Sequence, residues 1–494
     1  MNYVSTRNSN LEGVSSAYAI KTGLARDGGL FMPESIPALS KEEILSLKDK
    51  NYTERAAFII GKFLTDYTYE ELLEDAKGAY SYEKFGCAPA PVSKLADGEY
   101  MLELWHGPTC AFKDMALQIM PRLFVRALRK CDEKRKALIL VATSGDTGKA
   151  ALEGYKDVDG TLVKVFYPID GVSRVQKMQM QTQEGKNLSV SGIVGNFDDA
   201  QSGVKRIFAD GNIARELDEN GVFLSSANSI NWGRLVPQIV YYVSAYCDLL
   251  KCGAISFGDR IDVSVPTGNF GNIFACYIAK LMGLPVGKLI CASNLNNVLT
   301  DFLKNGVYDK NRSFHTTISP SMDILISSNL ERLLYITLGS EKTSDYMAKL
   351  NSTGRYELSK EDFAKISESF VGYYTDEDET GATVKSTYEN KNHLIDTHTA
   401  VAVNAAERYM SENKAKNTML VVSTASPYKF AKDVYRSVAN KEPTGDVEAL
   451  SELNALTGVE IPEPLSAVLG KPVIHGSVIE KSEMDSAVKE FAKA

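Results

Sequence analysis

Short aliphatic runs alternate with amphipathic stretches along most of the chain. The runs are rich in β-branched and aliphatic side chains, a composition typical of buried strands. They read KALILVA, LVKVFYP, LSVSGIVG, IDVSVP, KLICAS and TMLVVST, and begin at Lys136, Leu162, Leu188, Ile261, Lys288 and Thr418. Helix-like segments such as KAALEGY, FDDAQSGVKRIF and IFACYIAKLMG separate them. This alternation predicts an α/β fold with mainly parallel sheets.

The first hundred or so residues have a different pattern. Apolar positions recur at helical spacing in KEEILSLKDKNYTERAAFIIGKFL (41–64) and in TYEELLEDAKGAY (68–80), so a largely helical N-terminal segment is predicted. The sequence from GRYELSKEDF to DEDETGATVKS (354–386) is charged and rich in turn formers. We expect it to run over the surface.

The length of 494 residues is enough for two large domains with additions. We expect a mostly helical domain over 1–95 and a large α/β domain formed by 96–135 and 240–440. A small α/β domain over 136–239 is expected to be inserted in the large one. The remaining residues, 441–494, are expected to form a C-terminal extension.

Charge and cysteine usage narrow the class of protein. The formal net charge of −8 argues against binding nucleic acid by phosphate neutralisation. The seven cysteines are scattered without a CxxC pair, so we expect no metal site and no disulfide framework. The N-terminal sequence has no apolar signal core, and no apolar run is long enough to cross a membrane. The sequence therefore predicts a soluble cytoplasmic protein without a membrane partner.

Two loops are candidate anion sites, because each follows a predicted strand and precedes a predicted helix. PTGNFGN (266–272) places Gly268 and Gly271 where the backbone N–H groups of a helix N-terminus are free. It lacks the Gly-Lys-Ser/Thr of a nucleotide-binding P-loop, and a tight Gly/Asn turn is the alternative interpretation. TSGDTG (143–148) has the same setting. There, the alternative is that Asp146 or Thr147 simply caps the helix.

Lys113 is the third candidate. A lysine is usually solvated, but this one follows Ala111 and Phe112 and precedes MALQIMPRLF, which has a buried pattern. A desolvated lysine has a lowered pKa and can form a Schiff base. A reactive lysine combined with an anion loop that lacks P-loop features suggests pyridoxal 5'-phosphate as cofactor.

The motifs resemble those of the threonine synthase family. The resemblance rests on HGPTCAFKD, TSGDTG, PTGNFGN, SPSMDILISSNLERLLY (319–335), DTHTAVAV (396–403) and VVSTASPYKF (421–430), in the family's order. It covers about nine tenths of the chain, which is similar in length to the longer bacterial and fungal branch. It implies a pyridoxal-phosphate enzyme of fold type II that converts O-phospho-L-homoserine and water to L-threonine and phosphate. A monomer is also implied.

The resemblance assigns roles to particular residues. Lys113 would hold the cofactor, and Thr424 would hydrogen-bond its pyridine nitrogen through a neutral hydroxyl. The cofactor phosphate would lie against the loop residues Gly268, Asn269, Phe270, Gly271 and Asn272. The amino-acid end of the substrate would be held by Thr143, Ser144, Gly145, Asp146 and Thr147.

The polar segment SANSINWGR (226–234) is our candidate for the substrate phosphate, with Asn231 and Arg234 as its main groups. Two positions depart from the family pattern. The family often has His at the position of Ser426 and Pro at the position of Thr397, which leaves the role of the adjacent His398 open.

Three other interpretations are compatible with parts of the sequence. A threonine-synthase-like lyase that releases phosphate and 2-oxobutyrate, or a serine/threonine dehydratase, would use the same cofactor. A non-catalytic metabolite-binding protein would keep the loops but has no need of Lys113. A nucleotide-binding protein is disfavoured by the missing P-loop lysine.

Overall fold

The computed structural model of the chain describes residues 1–8, 12–143, 145–170 and 172–493. Its strands are β1 (Tyr3–Ser5), β2 (Phe31–Pro33), β3 (Val92–Ala96), β4 (Glu99–Glu103), β5 (Lys136–Ala142), β6 (Thr161–Pro168), β7 (Leu188–Val194), β8 (Val222–Ser225), β9 (Ile261–Pro266), β10 (Val286–Ser293), β11 (Val307–Asp309), β12 (Arg355–Glu357), β13 (Phe370–Tyr374), β14 (Thr418–Ser423) and β15 (Val478–Glu480).

The helices of the described residues are α1 (Ser16–Thr22), α2 (Lys41–Leu47), α3 (Tyr52–Phe63), α4 (Tyr69–Ala79), α5 (Tyr82–Phe85), α6 (Asp114–Leu117), α7 (Met120–Lys130), α8 (Asp146–Tyr155), α9 (Arg174–Gln181), α10 (Phe197–Ala209), α11 (Gly211–Glu219), α12 (Trp232–Lys251), α13 (Gly271–Leu281), α14 (Val298–Asn305), α15 (Leu330–Leu338), α16 (Ser340–Thr353), α17 (Lys360–Ser367), α18 (Glu377–Lys391), α19 (Thr397–Asn413), α20 (Ala431–Ala439), α21 (Glu448–Thr457), α22 (Glu463–Ser466) and α23 (Met484–Lys493). Short 3₁₀ turns lie at Pro320–Met322, Pro427–Phe430 and Lys481–Glu483.

The larger sheet has six strands among the described residues, in the order β13-β10-β9-β14-β4-β3. All neighbours are parallel except the hairpin partners β3 and β4. Every residue of the central strand β9 is buried, as expected for a strand covered by helices on both faces. The predicted α/β class with mainly parallel sheets is confirmed.

The smaller sheet, within the described part of the chain, has five parallel strands in the order β15-β7-β6-β5-β8. Its strands β5 to β8 are consecutive along the chain, whereas β15 comes from the C-terminal segment and lies at the edge. Met484 and Val488 of α23 pack into the apolar layer under this sheet. The last residues of the chain therefore complete the smaller sheet.

The N-terminal segment is largely helical, as predicted. The run over 41–64 forms two helices, because Asn51 accepts a hydrogen bond from Glu54 N while Glu54 reaches back to the Asn51 N–H. This capping box begins a new helix. The same arrangement of Thr68 and Glu71 begins α4. The long helix α12 is buried along nearly all its length and packs against both α3 and α13.

The prediction that residues 354–386 only run over the surface is wrong. This segment contains β12, α17, β13 and most of α18, and β13 forms the edge strand of the larger sheet beside β10. The strand is FVGYY, Phe370–Tyr374, whose aromatic and β-branched residues suit a pleated surface. Charged helices flank this short strand on both sides, so the local composition resembles that of a surface segment.

Neighbouring parallel strands bring three loops to one edge of the larger sheet. β9, β14 and β4 are adjacent, and their carboxyl ends lead into residues 267–270, 424–426 and 104–113. Ligands of open α/β folds bind at such an edge. No described helix is both long and apolar enough to cross a membrane.

Candidate active site

Lys113 lies at the start of α6, and 8% of its surface is exposed. The loop that carries it is tied to the end of β14. The Phe112 N–H donates to the Thr424 carbonyl oxygen over 2.8 Å, and Ala111 forms a β-bridge with Ala425. The lysine predicted from sequence is therefore buried at the carboxyl edge of the sheet.

Asp146, the first residue of α8, faces this lysine from the smaller sheet's side. Its Oδ2 lies 3.5 Å from Lys113 Nζ and accepts a hydrogen bond from Ser321 Oγ over 3.3 Å. Its Oδ1 lies 2.8 Å from Lys429 Nζ and accepts from Gln176 Nε2 over 2.7 Å. One carboxylate thus connects two buried lysines.

The electrostatics of this cluster follow from burial and from the balance of charges. Burial lowers the pKa of the Lys113 amine, Asp146 opposes this shift, and the cations Arg234 and Lys429 reinforce it. Burial alone would raise the pKa of Asp146, but the charges of Lys429 and Lys113 hold it well below its usual range. The aspartate is therefore ionised, while Lys113 loses its proton more readily than a solvated lysine.

Ser321 connects the lysine to a buried histidine. Its hydroxyl lies 3.5 Å from Lys113 Nζ, and its backbone N–H donates to His398 Nε2 over 3.1 Å. His398 Nδ1 lies 2.7 Å from Asp396 Oδ2. Since Nε2 accepts, Nδ1 must carry the proton that goes to Asp396. His398 therefore fixes the segment that contains Ser321.

The loop before α13 has the features of an anion site. Phe270, the residue before the helix, adopts a left-handed conformation with φ of 62°, which is uncommon for an aromatic residue. Asn272 accepts hydrogen bonds from Tyr241 and Tyr242 through Oδ1, and its buried Nδ2 has no partner among the described residues. The first turn of α13, which begins at Gly271, therefore offers free backbone N–H groups and an unsatisfied amide donor.

The other two residues of the loop lie against the segment that contains Ser321. A Cβ on Gly268 would come within 2.9 Å of the Ser321 carbonyl oxygen. Asn269 is exposed, and its carbonyl oxygen accepts from both Asn329 N and Asn329 Nδ2. Because the Ser321 hydroxyl also approaches Lys113 Nζ, the anion loop and the lysine share a neighbour.

Thr424 follows β14 beside the lysine loop and is 6% exposed. Its hydroxyl makes no hydrogen bond within the described part of the chain. The next helical turn is capped by Ser426, whose hydroxyl accepts from Tyr428 N over 3.3 Å. The residue as a whole is mostly buried, and its hydroxyl, without a partner among the described residues, is available to a ligand.

The loop after β5 is shaped by Thr143. Its buried hydroxyl accepts from Gly145 N over 3.0 Å and from Gly148 N over 2.9 Å. Gly145 has φ of 139°, and a Cβ there would overlap the side chain of Gln176. The Thr143 hydroxyl therefore satisfies the N–H groups at the start of α8, in place of Asp146 or Thr147, and the loop requires glycine at position 145.

The remaining residues of this loop differ in what they offer. Ser144 lies outside the described residues. Thr147 is half-buried in the first turn of α8. The side chain of Asp146 does not cap the helix. Its Oδ2 lies near the Lys113 ammonium group and its Oδ1 near that of Lys429.

Asn231 and Arg234 lie together at the start of α12. The Asn231 amide is used by the protein itself, since Oδ1 accepts from Gly233 N and Nδ2 donates to the Ile20 carbonyl. Arg234 is buried, donates through Nη1 to the Ala227 carbonyl over 2.7 Å, and has no partner for Nε among the described residues. Burial lowers the pKa of Arg234 to about 10. Arg234 can therefore bind an anion, whereas Asn231 is a helix cap.

The two departures from the family pattern are accommodated locally. Ser426 caps the 3₁₀ turn that follows it. Thr397 is the first residue of α19, and its hydroxyl donates to the Ile318 carbonyl over 2.6 Å. Proline is favoured at a first helical position, so the family's proline would also fit there. Neither departure disturbs the lysine or the anion loop.

His106, from the same motif as Lys113, has a different partner. Its Nε2 lies 2.7 Å from Glu103 Oε2. Burial alone would lower the pKa of His106, but the Cys87 thiol and the Glu103 carboxylate raise it to about 9. His106 therefore belongs to an ion pair at the end of β4.

The raised pKa of His106 predicts a pH dependence of stability. A group whose pKa is higher in the folded state stabilises fully below its unfolded value of 6.5, and this contribution is lost as pH rises through 9. We expect the loss to be about 2 kcal/mol, allowing for partial exposure. Urea unfolding at pH 6.5 and 9.5 would measure it. His106→Gln should remove the difference, whereas the exposed His315→Gln should not. Equal losses in parent and His106→Gln would contradict this assignment.

Three residues of this cluster were not predicted from the sequence, namely Lys429, Ser321 and Gln176. Lys429 and Ser321 lie inside segments that carry the family resemblance, so the motif itself was the available signal. Gln176 lies in RVQKMQMQ, a polar helix without a motif. Only the packing of α9 against α8 brings it to Asp146.

The assembled groups fit pyridoxal phosphate. A buried amine suits its aldehyde, the turn at Gly271 with the unsatisfied amide of Asn272 suits its phosphate, and the unpartnered hydroxyl of Thr424 suits its ring nitrogen. Among the described residues, no group of three or more His, Cys, Asp or Glu side chains could hold a metal ion.

Comparison with known proteins agrees with this arrangement. Three family models match the chain: Threonine synthase N terminus over residues 2–80, Pyridoxal-phosphate dependent enzyme over 91–425, and Threonine synthase, C-terminal over 399–466. The fold and the site thus define a pyridoxal-phosphate dependent enzyme.

Similarity to individual proteins narrows the family. Threonine synthase of Pseudomonas aeruginosa is 38% identical over 453 residues, covering 90% of this chain and 92% of that protein. The yeast Saccharomyces cerevisiae enzyme is 34% identical over 88% of this chain and 89% of its own length. The chain belongs to the threonine synthase family.

Two further comparisons bear on the fold and on length. The PLP-bound threonine synthase from Brucella melitensis has a TM-score of 0.88, 34% identity and full coverage of both chains. This confirms the predicted fold type II and, with the family model, the cofactor class. Human Threonine synthase-like 1 is 39% identical over 95% of this chain, and the chain spans 63% of the length of that relative.

Proposed function

We propose that the chain is a threonine synthase, which converts O-phospho-L-homoserine and water to L-threonine and phosphate. The observation that carries the proposal is the buried Lys113, held between Asp146 and Ser321 at the sheet edge where the anion loop also lies. Membership of the family and the threonine synthases that match over most of their length support it.

Lys113, the loop residues 268–272 and Thr424 are proposed to hold pyridoxal phosphate. When bound, this cofactor supplies an electron sink for the substrate carbons next to the amine. The protein's part is to fix the cofactor at both ends, with N–H groups at its phosphate and a neutral hydroxyl at its ring nitrogen. Thr424 suits the second task because its hydroxyl has no other partner within the described part of the chain.

Lys113 is proposed to move the protons. The reaction removes one proton from Cα and one from Cβ and expels phosphate from Cγ. A proton is then added at Cγ, the hydroxyl of water is added at Cβ, and a proton returns to Cα, while the second proton of water leaves with the phosphate. An amine with a lowered pKa can accept a proton near neutral pH and give it back. Ser321 and Asp146, each 3.5 Å from its Nζ, keep the amine directed into the site.

The substrate is proposed to lie across two groups of residues. Its amino-acid end would meet the loop 143–147, chiefly through backbone N–H groups, because the Asp146 carboxylate is paired with lysines and would repel a second carboxylate. Its phosphate would meet Arg234, whose Nε is unsatisfied. Asn231 would act by capping the helix that presents Arg234.

We further propose the domain division predicted from sequence, with one adjustment. β3 starts at Val92 and pairs with β4, so the N-terminal domain would end before Val92 and not at residue 95. The C-terminal segment would be shared, since Leu450 and Leu465 join the core beside the larger sheet while β15 joins the smaller one. The monomeric state and the cytoplasmic location stay predictions.

Product analysis tests the activity. Purified protein with pyridoxal phosphate is incubated with O-phospho-L-homoserine, and threonine, phosphate and 2-oxobutyrate are measured. Equal amounts of threonine and phosphate are expected. Phosphate with 2-oxobutyrate instead of threonine would identify a lyase. In separate incubations with serine or threonine as substrate, release of a keto acid, without any reaction of O-phospho-L-homoserine, would identify a dehydratase. No product from any of these substrates would refute the proposal.

The anion loop gives a second test. We expect Gly271→Ala to weaken cofactor binding about tenfold with little change in melting temperature, because the nearest protein atom to the new Cβ is 3.4 Å away. Gly268→Ala should also lower the melting temperature, since its Cβ would crowd the Ser321 carbonyl. Gly211→Ala, at the same position of α11 and with open space around it, is the matched control. Unchanged cofactor affinity in Gly271→Ala would place the phosphate elsewhere.

A further inference from the structure

Lys429 is a fully buried cation that the proposed reaction does not use. It lies in the 3₁₀ turn Pro427–Phe430, and its side chain is 0% exposed. Its Nζ donates to the Thr109 carbonyl over 2.8 Å and to Gln179 Oε1 over 3.2 Å, and it lies 2.8 Å from Asp146 Oδ1. An ammonium group has three protons. All three are directed at protein acceptors, so Lys429 is not placed to bind a ligand.

The contacts of Lys429 determine how Asp146 is oriented. Lys429 and Gln176 both engage Oδ1, which leaves Oδ2 turned toward Lys113 and Ser321. If Lys113 were its only charged neighbour, the negative charge of the buried Asp146 carboxylate would be unbalanced whenever Lys113 lost its proton. Charges in such surroundings are weakly screened, so this imbalance would be costly. Lys429 supplies the compensating charge from the far side of the carboxylate.

We propose that Lys429 is a positioning residue that acts on Lys113 through Asp146. It holds the Asp146 carboxylate with one oxygen toward the reactive amine and balances the charge of that carboxylate. Since Asp146 and Gln179 belong to the smaller sheet's helices and Lys429 follows β14, the same contacts connect the two sheets beside the site. This inference rests on the proposed role of Lys113.

The sign of the expected effect follows from the charges around Lys113. These are the Asp146 carboxylate and the cations Lys429 and Arg234. Removing Lys429 leaves Asp146 uncompensated, so the protonated form of Lys113 becomes more favourable. Removing the charge of Asp146 leaves two cations, so the protonated form becomes less favourable. The two substitutions should shift the titration of Lys113 in opposite directions.

The test measures this titration directly in the full chain freed of cofactor. Acetic anhydride labels the unprotonated amine, and mass spectrometry follows the labelling of Lys113 between pH 6 and 11, with the exposed Lys360 as internal reference. We expect Lys429→Met to move the Lys113 profile to higher pH by about one unit. Lys429→Arg should stay near the parent, and Asp146→Asn should move it to lower pH.

The double variant Lys429→Met/Asp146→Asn separates positioning from a purely structural role. It removes one charge of each sign, so its profile should return toward the parent. If Lys429→Met is folded, as judged by circular dichroism, and its profile equals that of the parent, the proposal is overturned. If Lys429→Met does not fold, the double variant is compared with Asp146→Asn, and an unchanged profile overturns the proposal in the same way.

Failure of the proposed function would be recognised separately. Borohydride reduction of the loaded parent protein followed by peptide mapping shows whether Lys113 carries the cofactor. A cofactor on another lysine would refute the function proposed for Lys113. The labelling shifts of Lys113 would still report whether Lys429 acts on it through Asp146.

Discussion

Replacement of Lys113 by alanine is expected to abolish covalent attachment of pyridoxal phosphate and to reduce turnover by on the order of 10³-fold or more. The amine is the group proposed both to hold the cofactor and to move protons. The fold should survive, because Asp146 keeps its contacts with Lys429 and Gln176 when Lys113 is shortened. Borohydride reduction, mass spectrometry and the rate of phosphate release measure the effect.

Two control variants sharpen this experiment. Lys113→Arg keeps a positive charge near Asp146 but has no nucleophilic amine, and should be equally inactive. Lys149→Met removes another buried lysine of the same region, which pairs with Glu153 over 2.9 Å, and should retain attachment. Covalent attachment that persists in Lys113→Ala would assign the cofactor to a different lysine.

Replacement of Thr424 by aspartate is expected to slow threonine formation by on the order of 10²-fold. The neutral hydroxyl is proposed to leave the cofactor's ring nitrogen largely unprotonated. A carboxylate beside that nitrogen would raise its pKa and make the ring a stronger electron sink. The balance among deprotonation, phosphate loss and water addition would then change. Product ratios and the absorbance spectrum with substrate present would show this.

The control for position 424 keeps the hydroxyl. Thr424→Ser should remain close to the parent in rate and spectrum, because the group that contacts the cofactor is unchanged. The backbone contact of residue 424 with Phe112 does not depend on the side chain and should survive in both variants. If Thr424→Asp has the rate and spectrum of the parent, Thr424 does not contact the ring nitrogen.

Much of the fold could be predicted because its signals are local. The runs at KALILVA and IDVSVP are buried on both faces of parallel sheets, so they consist of consecutive apolar residues that stand out in any window. FVGYY was missed because it is a short edge strand flanked by charged helices. Its pairing with β10 is a long-range contact, and no local pattern reports such a contact.

For the candidate site, too, residues with a local sequence signal could be predicted, whereas contacts between distant residues could not. Lys113 and the loop at Gly271 could be proposed from the sequence because each candidate depends on a pattern of consecutive residues. The alternative that Asp146 caps α8 fails because its carboxylate is engaged by Lys429, which is far away in sequence. Asn231 was expected to bind phosphate, yet its amide is used by Gly233 and Ile20.

The sequence by itself determined the α/β class, the likeness to one enzyme family and the choice of Lys113 as candidate lysine, since each depends on residue order within short segments. The tertiary structure alone decided which charges surround that lysine. Asp146, Ser321 and Lys429 come from three separate parts of the chain and meet where the two sheets pack together. Burial there weakens the screening of charge, so Asp146 and Lys429 act on the pKa of Lys113 although they are distant from it in the sequence.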